Sequence, residues 1–512
     1  MTDPYGVRRL PLPRAPEMTE IERRAREEQG IPERVLMENA GRTVALVTAM
    51  VAPEGRIVGV IGNGQNGGDA YIALRTLQGW GRDVLAVRSG TEPPDPVLAH
   101  GWTVPVAEPE GASLAFTTAG IILDGILGTG AAGAPKEPQA ALIESINTSG
   151  IKRIAVDGPS GADFSTGAVP GACIKAHVTV ALGFPKLGLL FQPARSHCGR
   201  MLCAELGFPP VPDDDVSALL ITPDWAKAHL PERPPDAHKG LSGYLLVVSG
   251  RMGMGGTAVL TARGALAMGA GIVRIASDEA NRVIAQTSVP EAIFLDVDDE
   301  AALAEAGNWA HAVVLGPGLG HDNLARERLD RALAATGTIP VLLDADGLNL
   351  FAGRRAELTD LAKSRAVAIT PHPGEMARLL EISIQEVLAD PVTVAAAAAG
   401  ELRAAVLLKG APSVVALSHQ PVLVSSITSS ATATGGSGDL LSGACGALLA
   451  ARMPRREALG TALFYCGRAA QLGPSIGRSS LDMVSDLPTA LRNPGASTPP
   501  LPFIQLDQPP PR

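Results

Sequence analysis

The sequence predicts an α/β protein of more than one domain, and three observations carry this. Short apolar runs of buried-strand character alternate along the chain with Ala- and Gly-rich helical patterns. Such alternation implies mostly parallel sheets covered by helices on both faces, in three layers. Run after run ends in a polar loop that combines glycine with Asp, Asn, Ser or Lys. The third observation is length: 512 residues exceed what one core holds, so two or three domains are expected.

Composition narrows the function classes. A net charge of −9 and the lack of any Lys/Arg-rich run with aromatics argue against nucleic-acid binding. A phosphate-bearing ligand would therefore be held by local amides and a few cations, not by the overall field. The five cysteines, Cys173, Cys198, Cys203, Cys445 and Cys466, show no C-x-x-C spacing. They read as reduced thiols of a cytoplasmic protein without a zinc site. Residues 1–20 carry Pro and charge where a signal peptide needs an apolar core. The longest apolar runs are interrupted by glycine or Arg263, so no membrane span is expected.

Residues 1–16 are rich in Pro and Arg and read as a flexible terminus. Met18 to Gly30 has amphipathic helical spacing, with Met18, Ile21 and Ala25 on one side. A second helix opens at Leu36-Met37-Glu38-Asn39-Ala40-Gly41. The strand Arg56–Ile61 runs into Gly62-Asn63-Gly64-Gln65-Asn66-Gly67-Gly68-Asp69 and then a helix. This contains G-x-G-x-x-G between strand and helix, the dinucleotide fingerprint. The next strand ends in Arg88-Ser89 without a ribose-binding acid, so an ordinary Rossmann dehydrogenase is the weaker reading. Two further strands end in Asp124, ahead of Gly128-Thr129-Gly130, and in Asp157-Gly158-Pro159-Ser160-Gly161. Ligands of open α/β sheets sit beyond the carboxyl ends of strands. Asn66, Asp69, Asp124, Asp157 and Ser160 are thus candidates for one site, where oxygens suit a hard cation near phosphate. Taken singly, each is better explained as a helix cap or turn residue; three strand ends together favour a site. Lys186, a lone base among apolar residues, follows the strand Val178–Phe184. Residues 17–212 form the first expected domain, and 213–221 the linker.

The second expected domain, 222–491, repeats the scheme. Its strands end in Gly316-Pro317-Gly318-Leu319-Gly320, in Asp344-Ala345-Asp346, in Thr370-Pro371-His372-Pro373-Gly374-Glu375, and in Lys409-Gly410-Ala411-Pro412-Ser413. The most informative stretch is Thr434-Gly435-Gly436-Ser437-Gly438-Asp439, which opens a small-residue apolar helix. Glycine amides at a helix start collect phosphate charge. A carboxylate beside the terminal phosphate can take a proton from a hydroxyl. Asp439 is thus the candidate base of a phosphoryl transfer. Residues 492–512 are Pro-rich and read as a disordered tail.

In order and in combination, these strings resemble the bifunctional NAD(P)H-hydrate repair family over roughly residues 15–490. The first half resembles the Rossmann-like NAD(P)HX epimerase domain, and the second the ribokinase-like ADP/ATP-dependent NAD(P)HX dehydratase. The resemblance implies a substrate: reduced nicotinamide cofactors that have added water across a ring double bond, as two epimers at the hydroxyl carbon. The epimerase would interconvert R- and S-NADHX and NADPHX. The dehydratase would phosphorylate the S-epimer hydroxyl with ADP or ATP and Mg2+, and loss of phosphate would restore the cofactor.

Carried over by position, Asn66, Asp124 and Ser160 match the family's K+ site. Gln65, Asn66, Gly67, Gly68 and Asp69, then Gly128, Thr129, Gly130, Ala131, Ala132, Gly133 and Ala134, and Asp157, match its epimerase substrate contacts. Asp157 and Lys186 are the acid/base candidates there. Thr257, Gly318, His372 and Asp439 match hydrate contacts. Lys409, Gly410, Ala411, Pro412, Ser413 and Gly438 match nucleotide contacts. Gln65 and Ala70 stand where the family commonly has Asn and Gly, and Thr257 where it has Ala. Residues 428–432 lack the family's usual Gly-Asn-x-Gly-Met. A homo-oligomer is expected, with no nucleic-acid or membrane partner. The alternative reading is a vitamin-precursor kinase whose first half senses nucleotides.

Overall fold

The computed structural model describes residues 9–90, 92–232, 234–235, 240, 242–495 and 503–505. The strands in chain order are β1 (Leu10–Pro11), β2 (Arg56–Ile61), β3 (Val84–Arg88), β4 (Val106–Ala107), β5 (Ala119–Gly125), β6 (Lys152–Val156), β7 (Val178–Leu182), β8 (Arg200–Ala204), β9 (Ala218–Ile221), β10 (Tyr244–Val248), β11 (Ile272–Ser277), β12 (Ile293–Asp296), β13 (Ala312–Leu315), β14 (Val341–Leu343), β15 (Val367–Ile369), β16 (Ala405–Leu408), β17 (Val414–Ala416), β18 (Val422–Ser425) and β19 (Phe503–Gln505). The chain divides into two compact units, with the break after Ala218.

The first unit holds a sheet of order β19-β8-β7-β6-β5-β2-β3-β4. All its pairs are parallel except β19 with β8. Both faces are buried, and strand alternation shows it. Ile57, Ile61, Ile121 and Leu123 point into one apolar cluster, while Val58, Val60 and Ile122 point into another. Helices Glu33–Val51 and Gln65–Gly79 cover the first face with Ala40, Val44, Ile72 and Leu74; Ala112–Thr117 and Gln139–Thr148 cover the second. The expected three-layer α/β arrangement is therefore present.

The second unit has the order β9-β18-β17-β16-β15-β14-β13-β10-β11-β12. The pairs from β16 through β12 are parallel, and β16-β17-β18 is an antiparallel meander. Helices Gly255–Met268 and Ser437–Ala450 touch closely because both are built from small residues. A Cβ on Gly443 would lie 1.9 Å from the Thr261 carbonyl, and one on Gly264 would lie 2.4 Å from the Leu440 carbonyl. This close approach fixes where the Gly435–Gly438 turn sits.

Three boundary expectations need correction. Residues 10–16 are not loose, because Leu10 and Leu12 are buried, the Leu12 N–H donates to the Ala218 carbonyl at 2.9 Å, and the Ala15 N–H donates to Ser165 Oγ at 3.0 Å. Residues 1–8 lie outside the described residues. The expected linker 213–221 is ordered: Arg24 reaches Asp215 at 2.5 Å, the Ser217 N–H donates to Glu17 at 3.0 Å, and all of β9 is buried. The acidic run that reads as a linker is in fact the partner of a basic helix end. The Pro-rich tail contributes β19 to the first sheet, and its residues 496–502 and 506–512 lie outside the described ones.

The helix contact yields a test. Gly443→Ala should destabilise the second unit by about 1–3 kcal/mol through overpacking against backbone that cannot retreat. Gly256→Ala, whose Cβ would meet nothing within 4 Å, should not. Denaturant unfolding of both variants checks the pair; equal effects would show that the contact does not limit packing.

Candidate functional site

Each unit gathers acidic groups and one lysine where its parallel strands end. In the first unit β2 leads into Gly62–Gly64, and helix Gln65–Gly79 begins at once. Packing demands glycine at two positions here, Gly62 and Gly67. A Cβ on Gly62 would lie 2.1 Å from the Ile126 carbonyl, and one on Gly67 would lie 1.9 Å from the Gly62 carbonyl. Beside this turn is a cavity of about 410 Å3 lined by Gln65, Asn66, Asp69, Gly128, Thr129, Gly130, Ala131, Asp157 and Lys186, together with Glu22, Glu33 and Met37. Gly67 and Gly68 instead line a cavity of about 790 Å3 that includes Glu92 and Asp95. Ala132, Gly133 and Ala134 are not among the residues lining the 410 Å3 cavity.

Asp157 and Lys186 form the centre of the smaller cavity. Lys186 is 1% exposed; its ammonium is ion-paired with Asp157 Oδ1 and donates to the Leu182 carbonyl at 2.7 Å. The Asp157 backbone is left-handed, at φ 66°, a costly state for a non-glycine residue. Its N–H donates to the Val180 carbonyl at 2.8 Å, and its Oδ1 accepts the Leu182 N–H at 3.0 Å. These bonds hold the carboxylate at the lip of the sheet.

Asp69 faces the same cavity from its helix, 7% exposed, with Oδ1 buried and unbonded. Burial, then the nearby charges of Asp157 and Glu22, push its carboxyl well above the ordinary range. Glu22 is also raised, by burial first. Sequence reading missed Glu22, since nothing in an amphipathic helix full of Glu and Arg marks which acid turns inward.

Asn66, Asp124 and Ser160 also come together. Ser160 Oγ donates to Asp124 Oδ1 at 2.5 Å, and the Ser160 N–H donates to Asp124 Oδ2 at 2.9 Å. The Leu127 carbonyl accepts from Asn66 Nδ2 at 2.9 Å and from Ser160 Oγ at 3.2 Å. Asn66 Oδ1 is buried without a partner. Burial raises the Asp124 carboxyl to about 6, against the pull of its Ser160 bonds.

In the second unit the Gly435–Gly436 turn opens helix Ser437–Ala450 and places Asp439 in its first turn. Lys409, just after β16, pairs with Asp344 Oδ1 at 2.8 Å and lies 3.9 Å from Glu375 Oε2. Ser442 Oγ donates to Asp344 Oδ2 at 2.6 Å. A Cβ on Gly438 would stand 3.7 Å from Lys409 Nζ, so the glycine start of the helix lies against this lysine. Burial, then Asp344, raises the Asp439 carboxyl to about 7, with Lys409 opposing. Burial works against the Lys409 ammonium, yet Asp344 and Glu375 lift it above its ordinary value.

The remaining expected residues converge on this cluster. His372 caps helix Pro373–Leu380, its Nδ1 accepting the Gly374 N–H at 3.0 Å, while Glu375 accepts the His372 N–H at 2.7 Å. Its ring is half exposed, with Nε2 3.4 Å from Glu375 Oε1. Thr257 Oγ1 donates to the Met254 carbonyl at 2.8 Å, and a Cβ on Gly318 would lie 2.6 Å from it. The Thr257 hydroxyl therefore helps to seat the Gly316–Gly320 turn. That turn is tied onward, the Gly320 N–H donating to Asp346 Oδ2 at 2.8 Å. Ser413 Oγ accepts the Gly410 N–H at 3.0 Å, closing the Gly410–Ser413 loop. Asp344, Asp346 and Glu375 were legible as strings at strand ends, but not as the charge frame around Asp439.

Comparison with known proteins agrees in both halves. Residues 33–188 match the family described as YjeF-related protein N-terminus, and residues 245–478 match NAD(P)H-hydrate dehydratase. The bifunctional NAD(P)H-hydrate repair enzyme of Moorella thermoacetica is 32% identical, covering 94% of this chain and 96% of its own. That of Gloeobacter violaceus is 38% identical, covering 82% of this chain and 85% of its own. The Bacillus subtilis ADP/ATP-dependent NAD(P)H-hydrate dehydratase, crystallised with ATP and Mg2+, is 27% identical with a TM-score of 0.47, covering 53% of this chain and 96% of that one. With both halves matched in order over nearly its whole length, the chain belongs to the bifunctional NAD(P)H-hydrate repair enzyme family.

Proposed function

We propose that this chain restores hydrated reduced nicotinamide cofactors, epimerising R- and S-NAD(P)HX in its first unit and dehydrating S-NAD(P)HX at the expense of ADP or ATP in its second. The observation that carries the reading is the presence, in one chain of this family, of two separate acid–lysine clusters at the ends of parallel strands. A vitamin-precursor kinase would need only the second crevice. It would leave the Asp157–Lys186 pair and the Asn66–Asp124–Ser160 cluster without a purpose.

In the second unit, Asp439 takes the proton of the hydrate hydroxyl as that oxygen attacks the terminal phosphorus of the nucleotide. The amides of the Gly435–Gly438 turn and the Lys409 ammonium oppose the charge that builds on the transferring group. His372 and the Gly316–Gly320 turn orient the hydrate. Once phosphorylated, the hydroxyl oxygen leaves as inorganic phosphate, and loss of the neighbouring ring proton restores the double bond. Among the described residues no set of three or more His, Cys, Asp or Glu side chains could hold a metal unaided. Magnesium that arrives with the nucleotide takes one or two protein carboxylates, and Asp344 and Glu375 beside Lys409 would supply them. When bound, the ion neutralises phosphate charge.

In the first unit, Asp157 serves as base, with Lys186 ion-paired to it and holding it in place. Potassium fits the neighbouring cluster, because the unbonded Asn66 Oδ1 sits with Asp124, Ser160 Oγ and the Leu127 carbonyl. All four are hard oxygen donors. A cation there would favour the ionised form of Asp124 and offset its repulsion of a bound phosphate.

The test is a repair assay. Hydrated cofactor with ADP or ATP should regain the absorbance of the reduced nicotinamide and release inorganic phosphate; a stable phosphorylated product would instead mark a kinase. Asp439→Asn should lower the dehydration rate by about 10²–10⁴-fold, the usual worth of a general base, while nucleotide still binds. Since only the ionised carboxylate can act, kcat/KM should fall as pH drops through about 7 and level off above it. A flat profile would remove Asp439 from the role. Potassium should accelerate epimer exchange, and Asp124→Asn should abolish that response; an unchanged response would locate the ion elsewhere.

A further inference from the structure

Asp69 has no counterpart in the roles so far given to the first unit beyond touching the substrate. Its carboxyl lines the 410 Å3 cavity together with Asp157 and Lys186. It is more than nine-tenths buried, and its Oδ1 has no hydrogen-bond partner among the described residues. An ionised carboxylate left unbonded in such a place is costly, whereas the neutral acid loses far less. The lysine that could compensate it is already committed: Lys186 is ion-paired with Asp157. The charged groups that bear on Asp69 are Glu22 from helix Ala15–Glu27, Glu33 from helix Glu33–Val51, Asp157 after β6 and Lys186 after β7. Three of these four are acids; of the two cations lining the cavity, Lys186 is paired with Asp157 and Arg26 lies 3.4 Å from Glu33. The cavity thus holds one carboxylate paired with a cation and, in Asp69, an unpaired carboxyl whose burial favours the neutral form.

We infer that Asp69 is the general acid of epimerisation, working across the substrate from the Asp157–Lys186 pair. The inference rests on the epimerase reading proposed above. In the hydrate the hydroxyl sits on the carbon bonded to the ring nitrogen. Asp69 gives its proton to the hydroxyl oxygen as the carbon–oxygen bond breaks. The nitrogen lone pair forms a carbon–nitrogen double bond, so water leaves and the ring carries the positive charge. Water then adds to the opposite face of that carbon and gives up one proton to Asp157. Exchange with solvent returns a proton to Asp69 and removes one from Asp157. No electrons are gained or lost, and a net inversion at one carbon results. In the reverse direction the two acids exchange roles.

The experiment uses the full chain and follows conversion of the R-hydrate to the S-hydrate by chromatography, in ordinary water and in water enriched in oxygen-18. Each epimer produced by the wild type should carry an oxygen-18 hydroxyl, because the original oxygen leaves. Retention of the original oxygen would overturn the inference without touching the epimerase reading. Asp69→Asn should cut kcat/KM for exchange by about 10²–10⁴-fold, with KM little changed. The wild-type fall in rate at high pH, as Asp69 loses its proton, should be absent from the variant. Exchange at the wild-type rate, or with an unaltered pH profile, would overturn the assignment. Should Asp69→Asn fail to fold, the oxygen label and the pH profile of the unaltered chain still decide it. A wild type that exchanges neither epimer faster than buffer would mean that the epimerase reading itself fails.

Discussion

In each unit one lysine is ion-paired with a buried carboxylate where the parallel strands end. Lys186 holds Asp157, and Lys409 holds Asp344. Parallel strands that end side by side deliver several acids to one edge, and burial makes more than one negative charge there expensive. A single ammonium offsets a single carboxylate. The acid left over, Asp69 in one crevice and Asp439 in the other, is driven toward its neutral form. Removing either lysine would strand a buried carboxylate, a loss of about 3–5 kcal/mol for a broken buried pair.

The same device serves different chemistry in the two units. In the second, a carboxyl raised to about 7 is matched to taking a proton near neutrality, and Lys409 remains at hand for the phosphoryl charge. In the first, the Asp69 carboxyl, raised well above the ordinary range chiefly by burial, is matched to giving one. The backbones are arranged to keep these charges still. Asp157 is held in a left-handed conformation by three bonds to β7 and Lys186, and Asp344 is pinned by both Lys409 and Ser442. Rigid neighbours mean that little reorganisation is needed when charge moves in the reaction.

Much of this was legible in the sequence, and the reasons are specific. Asp124, Asp157 and Asp344 stand at the ends of short apolar runs, and strand periodicity alone sends them to the ligand edge of a parallel sheet. Asp439 follows a glycine run at a helix start, which marks it without any tertiary knowledge. What spacing could not supply was partnership. Lys186 lies 29 residues from Asp157 and Lys409 lies 65 from Asp344, separations that local pattern cannot bridge. Glu22 was hidden among equivalent acids on one helix. The residues 213–221 were misread because an acidic run between prolines has the composition of a linker, while its actual role depends on Arg24, 191 positions earlier.

The central claim is that each crevice keeps one carboxyl protonated because its lysine is already spoken for. Infrared difference spectra of the wild type against Asp439→Asn and against Asp69→Asn observe that proton directly, through the carbonyl stretch of a neutral carboxylic acid. The account expects such a band for both residues in mildly acidic solution, with the Asp439 band vanishing as pH rises through about 7 and the Asp69 band persisting above the ordinary carboxylate range. Carboxylate bands alone at either position across that span would contradict it.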